Sequence, residues 1–341
     1  MNLMKSICPP LCGAMFLLLT LVACTGNDVP VSETDLPIRW SVQSENIQSG
    51  RALIENRAAL QTACSAGGQA IGIWSAYQRE GEGLTQQVLG TTGDASLAYE
   101  TEGNWTYGEK LAYWRRNAEY YFNAYFPKDG MTGISHTTTS LAGTYDTETT
   151  QEDLMVSRVQ VDTSADYFRG APVNLSMVHA LAAIKFVFLI EDSDATRLLK
   201  SFSLDKTLKT KGALNYNTDA ITIANWTGTS SANESRIYEW ADGNGVSFTA
   251  TEEAVPYTTE ENAGGHLFII PQSCTTAPTF NCTIGTNATD NVTFQNISLG
   301  TTLFEPGKNY IYTIKVNVNV LHVELSIKAW NEMDTSYNID F

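Results

Sequence analysis

Cys24 is the residue whose type and setting most directly invite covalent chemistry. It follows Leu21-Val22-Ala23 at the end of an apolar run from Leu11 to Ala23, with Lys5 supplying positive charge upstream. The run is well short of the ~20 residues that span a bilayer and reads as a signal peptide. Small residues before a cysteine form a lipobox pattern, which predicts cleavage between Ala23 and Cys24 and acylation of the new terminal residue. Acyl chains bury methylenes at ~0.8 kcal/mol each, so such a chain is anchored to a membrane without spanning it.

Other chemistry is scarce. His136, His179, His266 and His322 are scattered without ligand spacing, and there is no Gly-x-Ser-x-Gly elbow, phosphate-binding Gly-rich loop or His-Glu-x-x-His stretch. The 37 acidic residues allow many carboxylate pairings, none singled out by the sequence. His179 lies among apolar neighbours, where a structural hydrogen bond is the expected role. Cys64, Cys274 and Cys282 remain after Cys24, and the loop between the last two is able to bring them together, although spacing does not fix a disulfide. No catalytic residue, cofactor or metal is expected, and the chain does not read as an enzyme. A net charge of −16 without a basic cluster argues against a nucleic-acid surface, and no nucleic acid is expected as a partner.

The elements around these residues read as β-structure. After a polar, turn-rich tether over 24–35, Leu36, Ile38, Trp40 and Val42 alternate with polar or small residues and define a first strand. Ser44 to Arg51 is polar and Gly-containing, an accessible loop that ends in Gly50-Arg51-Ala52. Gly72–Tyr77 and Tyr120–Phe126 are short and aromatic, and both read as buried strands; a sugar-stacking platform is the functional alternative. Val173 to Ile190 alternates in one phase, then in the other beyond Ala180–Ala183, which predicts a strand with a break. Ile237–Trp240 and Val246–Thr249 flank Asp242-Gly243-Asn244-Gly245, hairpin chemistry by composition.

From Tyr310 to Val320 the apolar side chains take even positions, then from Leu321 to Ile327 odd ones, so a bulge or bend is expected at Val320-Leu321. Glu305-Pro306-Gly307-Lys308 has turn residues in order and would fold a strand ending near Phe304 back onto this long one. Many short strands joined by turns indicate β-sandwich architecture. The division expected is a signal peptide over 1–23, the tether over 24–35, and two domains, 36–170 and 171–341.

Several of these stretches together resemble the fimbrillin family, the lipoprotein-derived pilins of Bacteroides-type fimbriae. They are the lipobox at Cys24, Gln48-Ser49-Gly50-Arg51-Ala52, Phe122-Asn123-Ala124-Tyr125-Phe126-Pro127, Asp153-Leu154-Met155 and Val173 to Ala182. Phe268-Ile269-Ile270-Pro271-Gln272, Phe304 to Tyr312 and Ile327-Lys328-Ala329-Trp330 follow in the same order. The resemblance implies an all-β fold of two tandem transthyretin-like β-sandwich domains. It also implies a structural subunit of an adhesive cell-surface fimbria, exported as a lipoprotein to the outer membrane through lipid on Cys24.

In that scheme an Arg-specific protease removes the first strand, carrying Leu36, Ile38, Trp40 and Val42, and other fimbrillin subunits then polymerise by strand exchange. Arg51-Ala52 best matches the processing site, with Arg57 and Arg39 as lesser candidates. Tyr337, Ile339 and Phe341 alternate in the tail and form the candidate donor strand, or else a closing strand of the second domain. A fimbrial tip or anchor subunit and a surface carbohydrate-binding lipoprotein are the alternatives.

Overall fold

The structure is a computed structural model. It describes residues 36–44, 57–65, 68–90, 92–100, 104–108, 111–164, 170–191, 196–204, 207–231, 236–239, 245–256, 265–286, 290–317, 320–329 and 336–338. Cys24, with the preceding Ala23, lies outside the described residues, as do Arg51, Ala52, Ile339 and Phe341.

The chain is all-β, as expected, with one seven-residue helix, Arg57–Ala63, among the described residues. An eight-stranded sheet runs Trp40–Ser44, Val173–His179, Met155–Asp162, Ala118–Phe126, Ile71–Arg79, Ala95–Tyr99 and Trp105–Thr106, with Thr85–Gln86 beside Ile71–Arg79. Even-numbered side chains of Ala118–Phe126, such as Tyr120 and Phe122, join Ile38, Trp40, Val42, Leu60 and Trp114 in one core. Tyr125 points the other way, into a second core with Leu141, Tyr145, Leu214 and Trp226. That split is the period of two expected of a strand covered on both faces.

Beyond it, two five-stranded sheets enclose a third core. One is built on Ala182–Ile190, paired in parallel with Lys308–Asn317, and the other on Arg197–Leu204 and Thr279–Gly285. Phe186 anchors this core, 4.6 Å from the ring of Phe202 and 5.2 Å from that of Tyr312.

The expected break in Val173–Ile190 falls at Ala180–Leu181. Val173–His179 belongs to the eight-stranded sheet and Ala182–Ile190 to the next, so the chain steps between sheets there, beyond the expected boundary at 170/171. A four-stranded sheet draws on both sides of that step: Thr132–His136 and Leu141–Asp146 pair with Lys209–Tyr216 and Trp226–Ser231. The indole N–H of Trp226 donates to the Ala180 carbonyl at 2.9 Å, tying this sheet to the step.

Three local expectations are corrected. The phase switch at Val320-Leu321 marks a reversal of the chain: Lys308–Asn317 and Val320–Ala329 form an antiparallel hairpin. With two residues between the strands, even positions face odd ones, and Val316 opposite Leu321 and Ile314 opposite Val323 keep the apolar side chains on one face. Leu303–Phe304 pairs with Gln272–Ser273 instead of folding onto the long strand, although Gly307 does take the left-handed conformation of a turn (φ 67°). Arg236–Glu239 and Val246–Phe248 do not pair with each other; they lie end to end along Arg197–Leu204, which offers one edge long enough for both. The helix was hidden because it offers one buried residue, Leu60, to its neighbours, too little for a periodic signal.

Candidate functional site: the groove of the first strand

The first strand, Trp40–Ser44, is an edge strand of the eight-stranded sheet, and its sheet neighbour is Val173–His179, in parallel. Trp40 registers with Val173, Val42 with Leu175 and Ser44 with Met177. The alternation read from the sequence is realised in space: Ile38, Trp40 and Val42 are buried, while Arg39 between them is exposed. The Trp40 ring meets Phe122 edge-on at 5.2 Å and Tyr107 at 6.0 Å. Leu36 is half-buried against Gly170, where a Cβ would come within 3.1 Å of the Leu36 Cβ and where φ is already +70°.

The strand changes partners along its length. At its start, the Trp114 N–H donates to the Leu36 carbonyl (2.9 Å) and the Ile38 N–H donates to the Ala112 carbonyl (2.8 Å). Pro37 and Tyr113 form an antiparallel bridge between these two bonds. At Arg39 the pairing crosses to the other side, where the Val173 N–H donates to the Arg39 carbonyl at 2.7 Å. The Tyr107 hydroxyl holds the junction, donating to the Ile38 carbonyl (3.3 Å) and accepting from the Ala112 N–H (2.8 Å). Burial pushes that hydroxyl's pKa above the usual tyrosine value.

The first strand therefore lies in a groove with two rails, Ala112–Trp114 and Val173–His179, over a floor of Tyr107, Phe122, Leu175 and Met177. Each of Ile38, Trp40 and Val42 contributes ~1.5 to 3 kcal/mol by leaving water, values that are upper bounds against a compact unfolded chain. Without the strand, the floor is wetted and two sets of backbone groups lose their partners.

The other sequence-singled residues fall elsewhere. Ser336–Asn338, which contains Tyr337, pairs by its backbone with Val320–Ala329 at the edge of a five-stranded sheet, remote in topology from the groove. His179 has the structural role expected of it, with Nδ1 2.8 Å from the Asp153 carboxylate and both side chains buried. Cys64, Cys274 and Cys282 are free thiols, and burial pushes Cys64 and Cys282 up to about 12. Trp74 stacks on His136, whose Nε2 lies 2.9 Å from Asp94, and these groups, Trp74 buried and the other two half-buried, link sheets rather than forming an open site. Sequence reasoning missed Tyr107 and the Ala112–Trp114 rail, for which Leu111-Ala112-Tyr113-Trp114, an apolar run in a stretch without alternation, was the available signal.

Among curated proteins none matches the chain. Among solved structures, a fimbrial protein from Bacteroides vulgatus ATCC 8482 aligns with a TM-score of 0.60 at 17% identity, covering 86% of this chain and 99% of that one. A candidate cell adhesion protein from Bacteroides ovatus ATCC 8483 aligns with a TM-score of 0.51 at 15% identity, covering 87% and 99%. At such identities these likenesses concern the fold. The sequence pattern of the fimbrillin-like family matches residues 56–330, most of the chain. On that match the chain belongs to the fimbrillin-like family.

Proposed function

We propose that the protein is a structural subunit of a cell-surface fimbria, assembled with other fimbrillin subunits and contributing to adhesion. It is exported as a lipoprotein held at the outer membrane through Cys24, and an Arg-specific protease then cuts between Arg51 and Ala52. The released product loses lipid and first strand together, and the vacated groove takes a strand from another subunit. The observation that carries this reading is the first strand itself: an edge strand placing Ile38, Trp40 and Val42 in the core, with one parallel neighbour. β-Strand addition to such an edge gains main-chain hydrogen bonds and fills alternate pockets. Arg39 is the poorer processing candidate, since its carbonyl is bonded to Val173 within the groove. Tandem sandwich units meeting near the 170/171 boundary complete the reading, supported by the sheet-to-sheet step at Ala180–Leu181.

N-terminal sequencing of the cell-surface form, with an Arg51→Ala variant beside it, tests the proposal. A mature protein beginning at Ala52, and lipid-bound unpolymerised material in the variant, are expected. Fibres built from protein that still begins at acylated Cys24 would overturn strand removal.

A second reading, a tip or anchor subunit, is favoured by one observation. The Ser336–Asn338 backbone is already paired with its own sheet, whereas a stalk subunit needs a tail free to be donated. Tail deletion separates the two: a stalk subunit loses polymerisation, and a tip subunit keeps its attachment to the fibre.

A further inference from the structure

The face of the eight-stranded sheet that turns away from the first-strand groove carries a second, unrelated feature. Asn123 and Arg158 are registered opposite each other on neighbouring strands and point to the same side. Across from them stand the tip of the Thr132–His136/Leu141–Asp146 hairpin and the connection after Lys209–Tyr216. Between these walls is a cleft of about 300 Å³ lined by Asn123, Thr138, Arg158, Tyr216, Thr218 and Asp219. That volume is at the small end of ligand pockets.

Its walls are fixed from behind. The Asn123 side-chain amide donates to the carbonyls of Thr137 (2.9 Å) and Ser140 (3.0 Å), which pins the hairpin tip to the sheet. The Asn225 amide donates to the Asn215 carbonyl (2.9 Å) and to the Thr218 hydroxyl (3.2 Å), which pins the opposite wall. Gln160, beside Arg158, is engaged outward with Glu119 at 2.7 Å. A cleft whose polar walls are held by their own hydrogen bonds can bind without reorganising.

Arg158 is the exceptional group in it. Its guanidinium sits over the Tyr216 ring, 5.8 Å from the centroid, and it holds no ion pair among the described residues. Its Nε is buried without a hydrogen-bond partner. In a protein of net charge −16, a stacked guanidinium with no carboxylate of the described residues within ion-pair distance is a cation available to a ligand's carboxylate. Apart from Val159 and the Tyr216 ring, the remaining lining is amide, hydroxyl and one carboxylate, Asp219, which is exposed and has no side-chain partner among the described residues. Such groups recognise sugar hydroxyls, and the negative charge of Asp219 disfavours a doubly charged anion such as phosphate.

We propose that this cleft is a binding site for a carboxylated sugar, its carboxylate on Arg158 and its hydroxyls on Thr138 and Asp219. The site is separate from the groove of the first strand, and binding does not depend on polymerisation, so its failure would leave the fimbrial reading untouched.

Titration calorimetry on the full chain with sodium glucuronate, alongside glucose, acetate and inorganic phosphate, tests it. Saturable glucuronate binding is expected, with each of the other three weaker by about tenfold or more, the loss expected when a charge-assisted bond or its accompanying hydroxyl contacts are missing. Arg158→Gln should weaken glucuronate binding by about tenfold or more. Asp219→Asn, an exposed change that leaves the fold intact, should tighten it severalfold by removing repulsion, and it carries the test if Arg158→Gln misfolds. Absence of glucuronate binding, equal binding of acetate, glucose or phosphate, or indifference to both substitutions would overturn the proposal.

Discussion

The carbonyl oxygen of Arg39 accepts a 2.7 Å hydrogen bond from the N–H of Val173, and that bond marks where the first strand leaves one rail of its groove for the other. Before it, Leu36 and Ile38 are bonded to Trp114 and Ala112; after it, Trp40 to Ser44 run parallel to Val173–Met177. Because the carbonyl of the Arg39–Trp40 peptide is engaged, Arg39→Ala should leave processing unchanged. Mass spectrometry of the surface form, compared with that of Arg51→Ala, checks this.

Trp40→Ala removes the largest side chain that the first strand places in the core and leaves a void between Phe122 and Tyr107. The expected loss is ~3 to 5 kcal/mol, as for other buried aromatic truncations. Urea unfolding of the unprocessed chain gives the value, and a change below about 1 kcal/mol would mean that the strand is not seated as described.

Tyr107→Phe keeps the aromatic floor but removes the hydroxyl shared by Ile38 and Ala112. About 1 kcal/mol of stability should be lost. The loss should be local, with faster amide hydrogen exchange at Ile38 and Ala112 and little change at Phe186 or Tyr312.

Gly170→Ala should loosen the same strand from its start. The backbone there is left-handed, and the new methyl would crowd Leu36 at 3.1 Å. Limited trypsin digestion should release the N-terminal segment faster than in the parent chain, whereas equal rates would show that Leu36 does not rest on Gly170.

His266 makes stability depend on acid. Burial, and secondarily the charge of Lys185, push its pKa down to about 3, and its Nε2 accepts from the Asn309 amide at 3.0 Å, a bond that requires the neutral ring. The unfolded chain takes up this proton near pH 6.5 while the folded chain does not, so stability is full above about 6.5 and falls as pH drops towards 3, by up to ~1.4 kcal/mol per pH unit. Urea midpoints measured across that window should fall less steeply in His266→Gln than in the parent.

Much of the strand content was legible because alternation survives wherever one face of a strand is buried. Leu36 to Val42, the break after His179 and the phase switch at Val320-Leu321 all correspond to features of the fold. The switch reads as a bulge or bend because one irregular strand and two strands with a turn give the same parity change. Pairing was less legible than strand position. Arg236–Glu239 and Val246–Phe248 are flanked by hairpin residues, but the edge of Arg197–Leu204 competes for both. The Ala112–Trp114 rail and the Arg158 cleft depend on residues far apart in sequence, and no local pattern reports their meeting.

The two-railed groove also sets an order in time. Leu36–Ile38 is separated from the Ala112–Trp114 rail by a much shorter stretch of chain than Trp40–Ser44 is from Val173–His179, and the shorter loop closes at the lower entropic cost. Parallel pairing across so long a stretch of chain is slow to close. The expected seating of the strand is therefore in two instalments, the leading half first and Trp40–Ser44 later. The bonds it acquires last are those beside residues 45–51, the same end at which an unseating would begin.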